Sequence, residues 1–179
     1  YDNEFEIADG VYRSNQPSPS KIEYWSKKGV KTILNLRGES NQGSYFLEKE
    51  ACEKMGIKLI NFKIAASSLK SKEVLLELCD IFKKINTPML IHCKSGSDRA
   101  GLASFIYLVT VKKIHPAIAA KQLSLKYLHL KWYITGVLDY MVDQYVKAFN
   151  DNGIQFEDWL RSGYDREKLL DIFFSGRGK

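Results

Sequence analysis

Apolar and polar positions change their period several times along this chain, and each change marks an element. Alternating apolar residues around a Gly10 turn predict two short strands at 5–7 and 11–13. The stretch Ser14-Asn15-Gln16-Pro17-Ser18-Pro19 is a turn-rich connector. Ser18 or Ser20 then caps a helix running to about Lys28, with Ile22 and Trp25 inward and Gly29 stopping it. An apolar run over 30–36 reads as a strand that ends in Arg37-Gly38-Glu39. Residues 44–55 predict a helix with Phe46, Leu47 and Ala51 on one side, closed by Gly56. Residues 57–64 alternate as a strand, and 65–70 read as a loop. From Ser71 to about Asn86, Val74, Leu75, Leu78, Ile81, Phe82 and Ile85 recur at helical spacing, and Thr87-Pro88 breaks the helix.

The apolar run from Met89 to Ile91 reads as a buried strand ending in His92-Cys93. The helix predicted from Arg99 to Val111 is apolar nearly all round, so it should be buried. His115-Pro116 starts a helix to about Leu128. A longer one spans about 131–149, with Trp132, Val137, Leu138, Met141, Tyr145 and Val146 on one stripe. A tail from Ile154 holding Phe156, Trp159 and Leu160, then residues 165–174, is apolar enough to pack back, and 176–179 should fray. Strands alternate with helices up to Cys93 and helices follow it. The pattern predicts an α/β fold: a central, mostly parallel sheet of about four to five strands flanked by helices, with a helical C-terminal half. One domain is expected over 1–179, with 1–20 as N-terminal strands and connector and 150–179 as a helical tail packed on it.

Composition narrows the function classes. Hydrophobic residues make up 45% and charged residues 27% of the 179, the signature of a globular chain. The net charge of +6 favours anionic partners: a phosphorylated protein, lipid or small molecule. No compact Lys/Arg block interleaved with aromatics stands out, so nucleic acid is not expected as a partner. Three cysteines do not make a disulfide framework, and Cys52 and Cys79 fall inside predicted helices as buried thiols. A reducing, cytoplasmic setting suits a catalytic thiol, with membrane-surface association compatible with the charge. No apolar stretch reaches the length of a transmembrane helix. The chain begins at Tyr1 rather than Met, so an upstream leader or anchor is compatible with it. A monomer is expected.

The chemistry concentrates in His92-Cys93-Lys94-Ser95-Gly96-Ser97-Asp98-Arg99. Between Cys93 and Arg99 there is no bulky apolar side chain, and Gly96 opens backbone conformations closed to other residues. The backbone N–H groups of Lys94, Ser95, Gly96, Ser97 and Asp98 can then converge, and the following helix adds its positive end. Such a cup suits a tetrahedral oxyanion, and Arg99 can close it with a bidentate fork. A thiol at the base of an electropositive cup is expected to ionise well below its free value of about 8.5. Cys93 lies where ligands bind in parallel sheets, beyond the carboxyl end of a strand.

The pattern Cys-x5-Arg, preceded by His and with Gly three residues after the Cys, resembles the phosphate-binding loop of cysteine-dependent protein tyrosine and dual-specificity phosphatases. The order from Val11-Tyr12-Arg13-Ser14-Asn15-Gln16-Pro17 to the strand ending in Arg37 is similar to the opening of a bacterial dual-specificity-like subgroup. Residues 119–127 and the late Trp159…Tyr164-Asp165 resemble the same subgroup, whose loop reads close to His-Cys-Lys-Ser-Gly-Ala-Asp-Arg. The resemblance implies a phosphatase-like fold, Cys93 as nucleophile forming a phosphocysteine, and Arg99 as transition-state clamp. It implies no cofactor and no metal. His92 is expected to fix the loop by hydrogen bonding, and Arg37, Lys94, Gln122 and Ser124 are supporting candidates.

One feature departs from the family. Its leaving-group acid normally stands on the loop after the strand preceding the phosphate loop, here 65–71, and no Asp or Glu occurs from Lys54 to Lys72. Asp98 is the preferred substitute, with a loop buttress as its alternative role, and Glu39 is the second. A third reading needs no enzyme acid, because the leaving group is a good one or is itself a phosphate. The functions in contention are a cysteine-dependent phosphatase of phosphotyrosine or dual-specificity type, the same mechanism on lipid or inositol phosphates, a non-catalytic phosphate-binding module, and a sulfurtransferase. Arg99 and the helix after it favour phosphate chemistry.

Overall fold

The computed structural model describes residues 2–65 and 67–176. The chain divides into two compact units, residues 1–64 with 84–100 and residues 65–83 with 101–179.

The first unit holds the sheet. β1 (Phe5–Ala8) and β2 (Val11–Ser14) form an antiparallel hairpin. β2 then pairs parallel with β5 (Met89–His92), β5 with β3 (Thr32–Asn35), and β3 with β4 (Lys58–Asn61), giving the order β1-β2-β5-β3-β4. The fold is α/β with a mostly parallel five-stranded sheet, as the alternation predicts. The register matters most for the site. Ser14 and Asn35 both stand level with His92, so three neighbouring strands end in line and release their loops at one edge.

Two helices complete this unit. α1 (Pro19–Lys27) is capped by the Ser18 hydroxyl, which accepts the Lys21 N–H at 3.3 Å. α2 (Gly43–Met55) is closed by Gly56 in the left-handed conformation, φ 66°. Ile22 and Trp25 of α1, Ala51 and Cys52 of α2, and Ile33 and Leu90 of the sheet form one core cluster. Full burial of a side chain such as Ile33 or Leu90 contributes about 1.5–3 kcal/mol. The inward face of α2 differs from the expected one. Phe46 and Leu47 are more than half exposed, while Tyr45, Glu48, Ala51 and Cys52 are buried. The helix is turned so that a carboxylate faces inward, because Glu48 finds polar partners there in His92 and Gln16. The strands are also shorter than their apolar runs: β3 and β4 have four residues each, and Val30, Ile57 and Ile64 are buried outside the ladder.

The second unit is helical: α3 (Lys72–Lys84, whose last residue falls in the first unit), α4 (Asp98–Thr110, from Gly101 on), α5 (Pro116–Ala119), α6 (Gly136–Asn152), α7 (Phe156–Ser162) and α8 (Arg166–Ser175). Every α4 residue from Gly101 to Thr110 is buried, as its all-round apolar sequence requires. Phe105, Tyr145, Phe156 and Trp159 form an aromatic cluster with centroids 5.0–6.2 Å apart. The Tyr164 hydroxyl donates to the Lys70 carbonyl at 2.6 Å and Arg166 Nε to that of Leu69 at 2.8 Å. The expected fraying lies, beyond Gly176, outside the described residues, as does Ala66 in the 65–70 loop.

Two helix expectations are corrected. The helix expected over 116–128 stops after one turn and gives way to 3-10 turns at Ala120–Gln122 and Leu125–Tyr127. Ser124 is extended, and its carbonyl accepts the N–H groups of both Tyr127 and His129. His129 is drawn to Asp139 at 2.6 Å, which turns the chain. The next helix begins at Gly136 rather than near Lys131, so Trp132 lies outside its stripe and is 60% exposed.

Candidate active site

β5 is buried along its whole length, and Cys93 follows its last residue at 1% exposure. The chain then turns through residues 94–97 into the first turn of α4 at Asp98 and Arg99. Gly96 makes this turn at φ 74°, and a Cβ there would lie 2.7 Å from the Asn15 nitrogen. Only glycine fits both the conformation and the space.

What sets the loop's shape is the fate of its carbonyl groups. Five successive carbonyls are each held by a donor. His92 Nδ1 lies 3.2 Å from the Cys93 oxygen, and the Gln16 N–H donates to Lys94 at 3.2 Å. Asn3 Nδ2 donates to Ser95 at 3.0 Å. One guanidinium nitrogen of Arg13 donates to both Gly96 and Ser97, at 2.7 and 3.0 Å. In a trans peptide the C=O of one residue and the N–H of the next point opposite ways. Fixing carbonyls 93–97 from below therefore turns the N–H groups of residues 94–98 to the opposite face. Those are the five N–H groups the sequence assigns to an anion cup, and the donors that aim them come mostly from residues 3–16.

The floor carries charge as well as hydrogen bonds. Arg13 is fully buried, and so are the side chains of His92 and Glu48. Glu48 lies 2.6 Å from His92 Nε2 and accepts Gln16 Nε2 at 2.8 Å. Gln16 in turn accepts an Arg37 N–H at 2.6 Å, and Arg37 also donates to Gln42 and Ser44. A chain of polar contacts thus runs Arg37, Gln16, Glu48, His92, Cys93 carbonyl. Burying such groups is costly unless they find polar partners: Glu48 has His92 and the Gln16 amide, and Arg13 has the Gly96 and Ser97 carbonyls.

The remaining candidates are placed as follows. Asp98 is half-exposed in the first turn of α4, and its carboxylate accepts the Ser97 hydroxyl at 3.2 Å. Arg99 is half-buried beside it, and the side chains of Lys94 and Ser95 are exposed. Glu39 is exposed and accepts Asn61 Nδ2 at 3.4 Å, on the β4 side of the sheet. Gln122 is buried in the second unit, with Nε2 3.5 Å from the Tyr127 hydroxyl, and Ser124 is half-exposed there. Burial pushes the Cys52 and Cys79 thiols up to about 12, so both are protonated and inert at neutral pH.

Sequence reasoning missed four floor residues: Asn3, Arg13, Gln16 and Glu48. Two carried a signal. Arg13 shares the buried strand face of Val11, and Glu48 follows Tyr45 at helical spacing on the buried face of α2. A charged residue at an apolar position is the mark of a buried polar partner.

The chain is 29% identical to the inositol diphosphatase DSP3 of Arabidopsis thaliana, over 53% of its own length and 48% of that protein. It is 31% identical to the inositol diphosphatase DSP2 of Oryza sativa subsp. japonica, over 54% of this chain and 48% of that one. The chain spans about half the length of the curated relatives it matches. The fold is that of P. aeruginosa TpbA, with a TM-score of 0.63 at 16% identity, covering 89% of each chain. The family model described as a DSP-PTPase phosphatase fused to NAD+ kinase matches residues 2–127, a span that includes Cys93, the loop after it and every floor donor. By that match this chain belongs to the family of DSP-PTPase phosphatases fused to NAD+ kinase.

Proposed function

We propose that the chain is a cysteine-dependent phosphatase that works through a phosphocysteine and prefers a diphosphate on a polyanionic inositol to a phosphate on tyrosine. The observation that carries the mechanism is the fivefold anchoring of carbonyls 93–97, which leaves five N–H groups aimed away from the floor in the residues that follow Cys93. The Cys93 thiolate attacks phosphorus, the Sγ–P bond forms as the P–O bond breaks, and the electron pair leaves on oxygen. Water then attacks phosphorus, gives its proton to solvent, and returns thiolate and inorganic phosphate. Arg99 and the loop N–H groups stabilise charge on the equatorial oxygens. Arg37 and Lys94 supply further positive charge for a polyanion.

Substrate preference follows from the acid. A phenoxide or alkoxide leaves well only when protonated, and no carboxyl occurs from Lys54 to Lys72. A leaving phosphate needs no such proton, and the two curated relatives are inositol diphosphatases. Asp98 serves this reading as a buttress, with its carboxylate on the Ser97 hydroxyl.

Phosphate release from an inositol diphosphate, the matching inositol monophosphate ester and a phosphotyrosine peptide tests the proposal. A kcat/KM at least about tenfold higher on the diphosphate is expected, a difference of roughly 1.4 kcal/mol. Preference for the peptide would replace it with the tyrosine phosphatase reading, and binding without turnover on all three would mark a phosphate-binding module. Asp98→Asn should slow alkyl and nitrophenyl phosphates alike. A far larger loss on the alkyl esters would make Asp98 the general acid.

A further inference from the structure

From Ala100 to Leu138 the chain contains no Asp or Glu, and it contains Lys112, Lys113, Lys121, Lys126 and Lys131. These carry five of the net six positive charges, which leaves the rest of the chain almost neutral. All five lysines are exposed. The same stretch holds the four most exposed large apolar side chains of the described residues, Tyr133 at 61%, Leu125 and Trp132 at 60% and Ile118 at 58%, and with them Leu128 at 54% and Ile134 at 48%. Monomer surfaces rarely gather bulky apolar groups in this way without a partner.

The local fold presents these groups rather than hiding them. Between Gln122 and Gly136 the chain makes successive tight turns, closed by Tyr127 and His129 on the Ser124 carbonyl, Tyr133 on Leu130 and Gly136 on Tyr133. Leu123, Tyr127 and His129 are buried, and His129 is fastened to Asp139. The residues between these anchors, Leu125, Lys126, Leu128 and Lys131 to Ile134, are left outside. Leu128 takes the left-handed conformation, φ 61°, where glycine or asparagine is at ease. A leucine there costs folding stability, and more than half of it stays exposed.

We propose that segment 112–134 is a membrane-docking face that seats on an anionic lipid surface. Its leucine, isoleucine, tryptophan and tyrosine side chains enter the headgroup boundary, while the lysines meet anionic headgroups. Two features of the segment select this occupant. The segment is positive and has no carboxylate of its own, which complements an acidic bilayer. Its apolar members mix aliphatic side chains with exposed Trp and Tyr, the amphipathic rings that favour an interface. A nucleic acid backbone has no use for Ile118, Leu125 or Leu128. No helix among the described residues is long and apolar enough to cross a membrane, so the contact is peripheral.

Trp132 provides the readout, because Trp25 and Trp159 are 3% and 5% exposed. The chain is mixed with phosphatidylcholine vesicles with and without phosphatidylserine, followed by co-sedimentation and tryptophan emission. Sedimentation with the phosphatidylserine vesicles, a blue shift of the emission, and release at high salt are expected. Lys126→Glu with Lys131→Glu should weaken binding at least about tenfold. Leu125→Ser with Leu128→Ser should abolish the blue shift, with thermal melting and hydrolysis of a soluble aryl phosphate unchanged as the folding control. Failure of the unmodified chain to sediment with phosphatidylserine vesicles at low salt, or equal sedimentation with both vesicle types, overturns the proposal. So does concentration-dependent self-association that shields Trp132 and leaves vesicles unbound. None of these outcomes depends on which phosphate ester the chain hydrolyses.

Discussion

Two regions of this chain break the rule that apolar residues go inside and charged ones outside, and they break it in opposite directions. Beneath the loop at 93–97, Arg13, Glu48 and His92 are buried with almost no exposure. Along 112–134, Leu125, Leu128, Trp132 and Tyr133 are more than half exposed. The first violation is answered inside the fold, where these buried polar groups have partners between 2.6 and 3.2 Å away. The second is answered by nothing within its own turns. A buried charge with partners makes a rigid scaffold, and an exposed apolar cluster is a surface still to be covered. The pair predicts different behaviour under mutation: the floor should couple stability to chemistry, and the outer face should be nearly silent in both.

The largest effect belongs to Cys93, the proposed nucleophile above the floor. Cys93→Ser should lower turnover by roughly four orders of magnitude or more while phosphate still binds, since the cup is backbone and stays intact. Iodoacetamide at neutral pH should label one thiol, at Cys93, because Cys52 and Cys79 remain protonated until pH nears about 12. Mass mapping after labelling checks this, and label on Cys52 or Cys79 would remove the distinction.

Next comes the floor itself. Arg13→Met keeps the bulk but unties the Gly96 and Ser97 carbonyls, which should destabilise the chain by about 3–5 kcal/mol. Arg13→Lys restores charge without the fork and should fold while losing phosphate affinity. Melting curves and phosphate titrations separate the two, and a wild-type affinity in the lysine variant would show that charge alone suffices.

The smallest effect has the opposite sign and falls on the outer face. Leu128→Gly relieves a left-handed leucine, worth about 1–2 kcal/mol, and adds unfolded-chain entropy worth about 0.5–1 kcal/mol. The net should be a gain of roughly 0.5–1 kcal/mol, read as a small rise in melting temperature. A loss of stability would mean that the Leu128 side chain is packed, and would bring the two regions closer in kind.

The sequence by itself determined whatever is contiguous. Residues 92–99 state the candidate nucleophile, the glycine turn and the arginine within one short stretch. The change from strand-length apolar runs to helical spacing was enough to predict a mostly parallel sheet with helices after it. The stripe of α3 and the all-apolar α4 were legible because periodicity is a local property. Only the tertiary structure decided the rest. The donors that aim the loop lie up to 92 residues away along the chain, as Asn3 from Ser95 and Arg13 from Gly96 do, and the register of β2 against β5 brings them together. The same dependence turned α2 the other way, since Glu48 faces inward toward His92, at the end of strand β5. It also decided the fate of 116–135, whose spacing suits a helix until His129 pairs with Asp139 and bends the chain into turns. Spacing tells which residues are apolar, but only the position of neighbours tells which of them find cover.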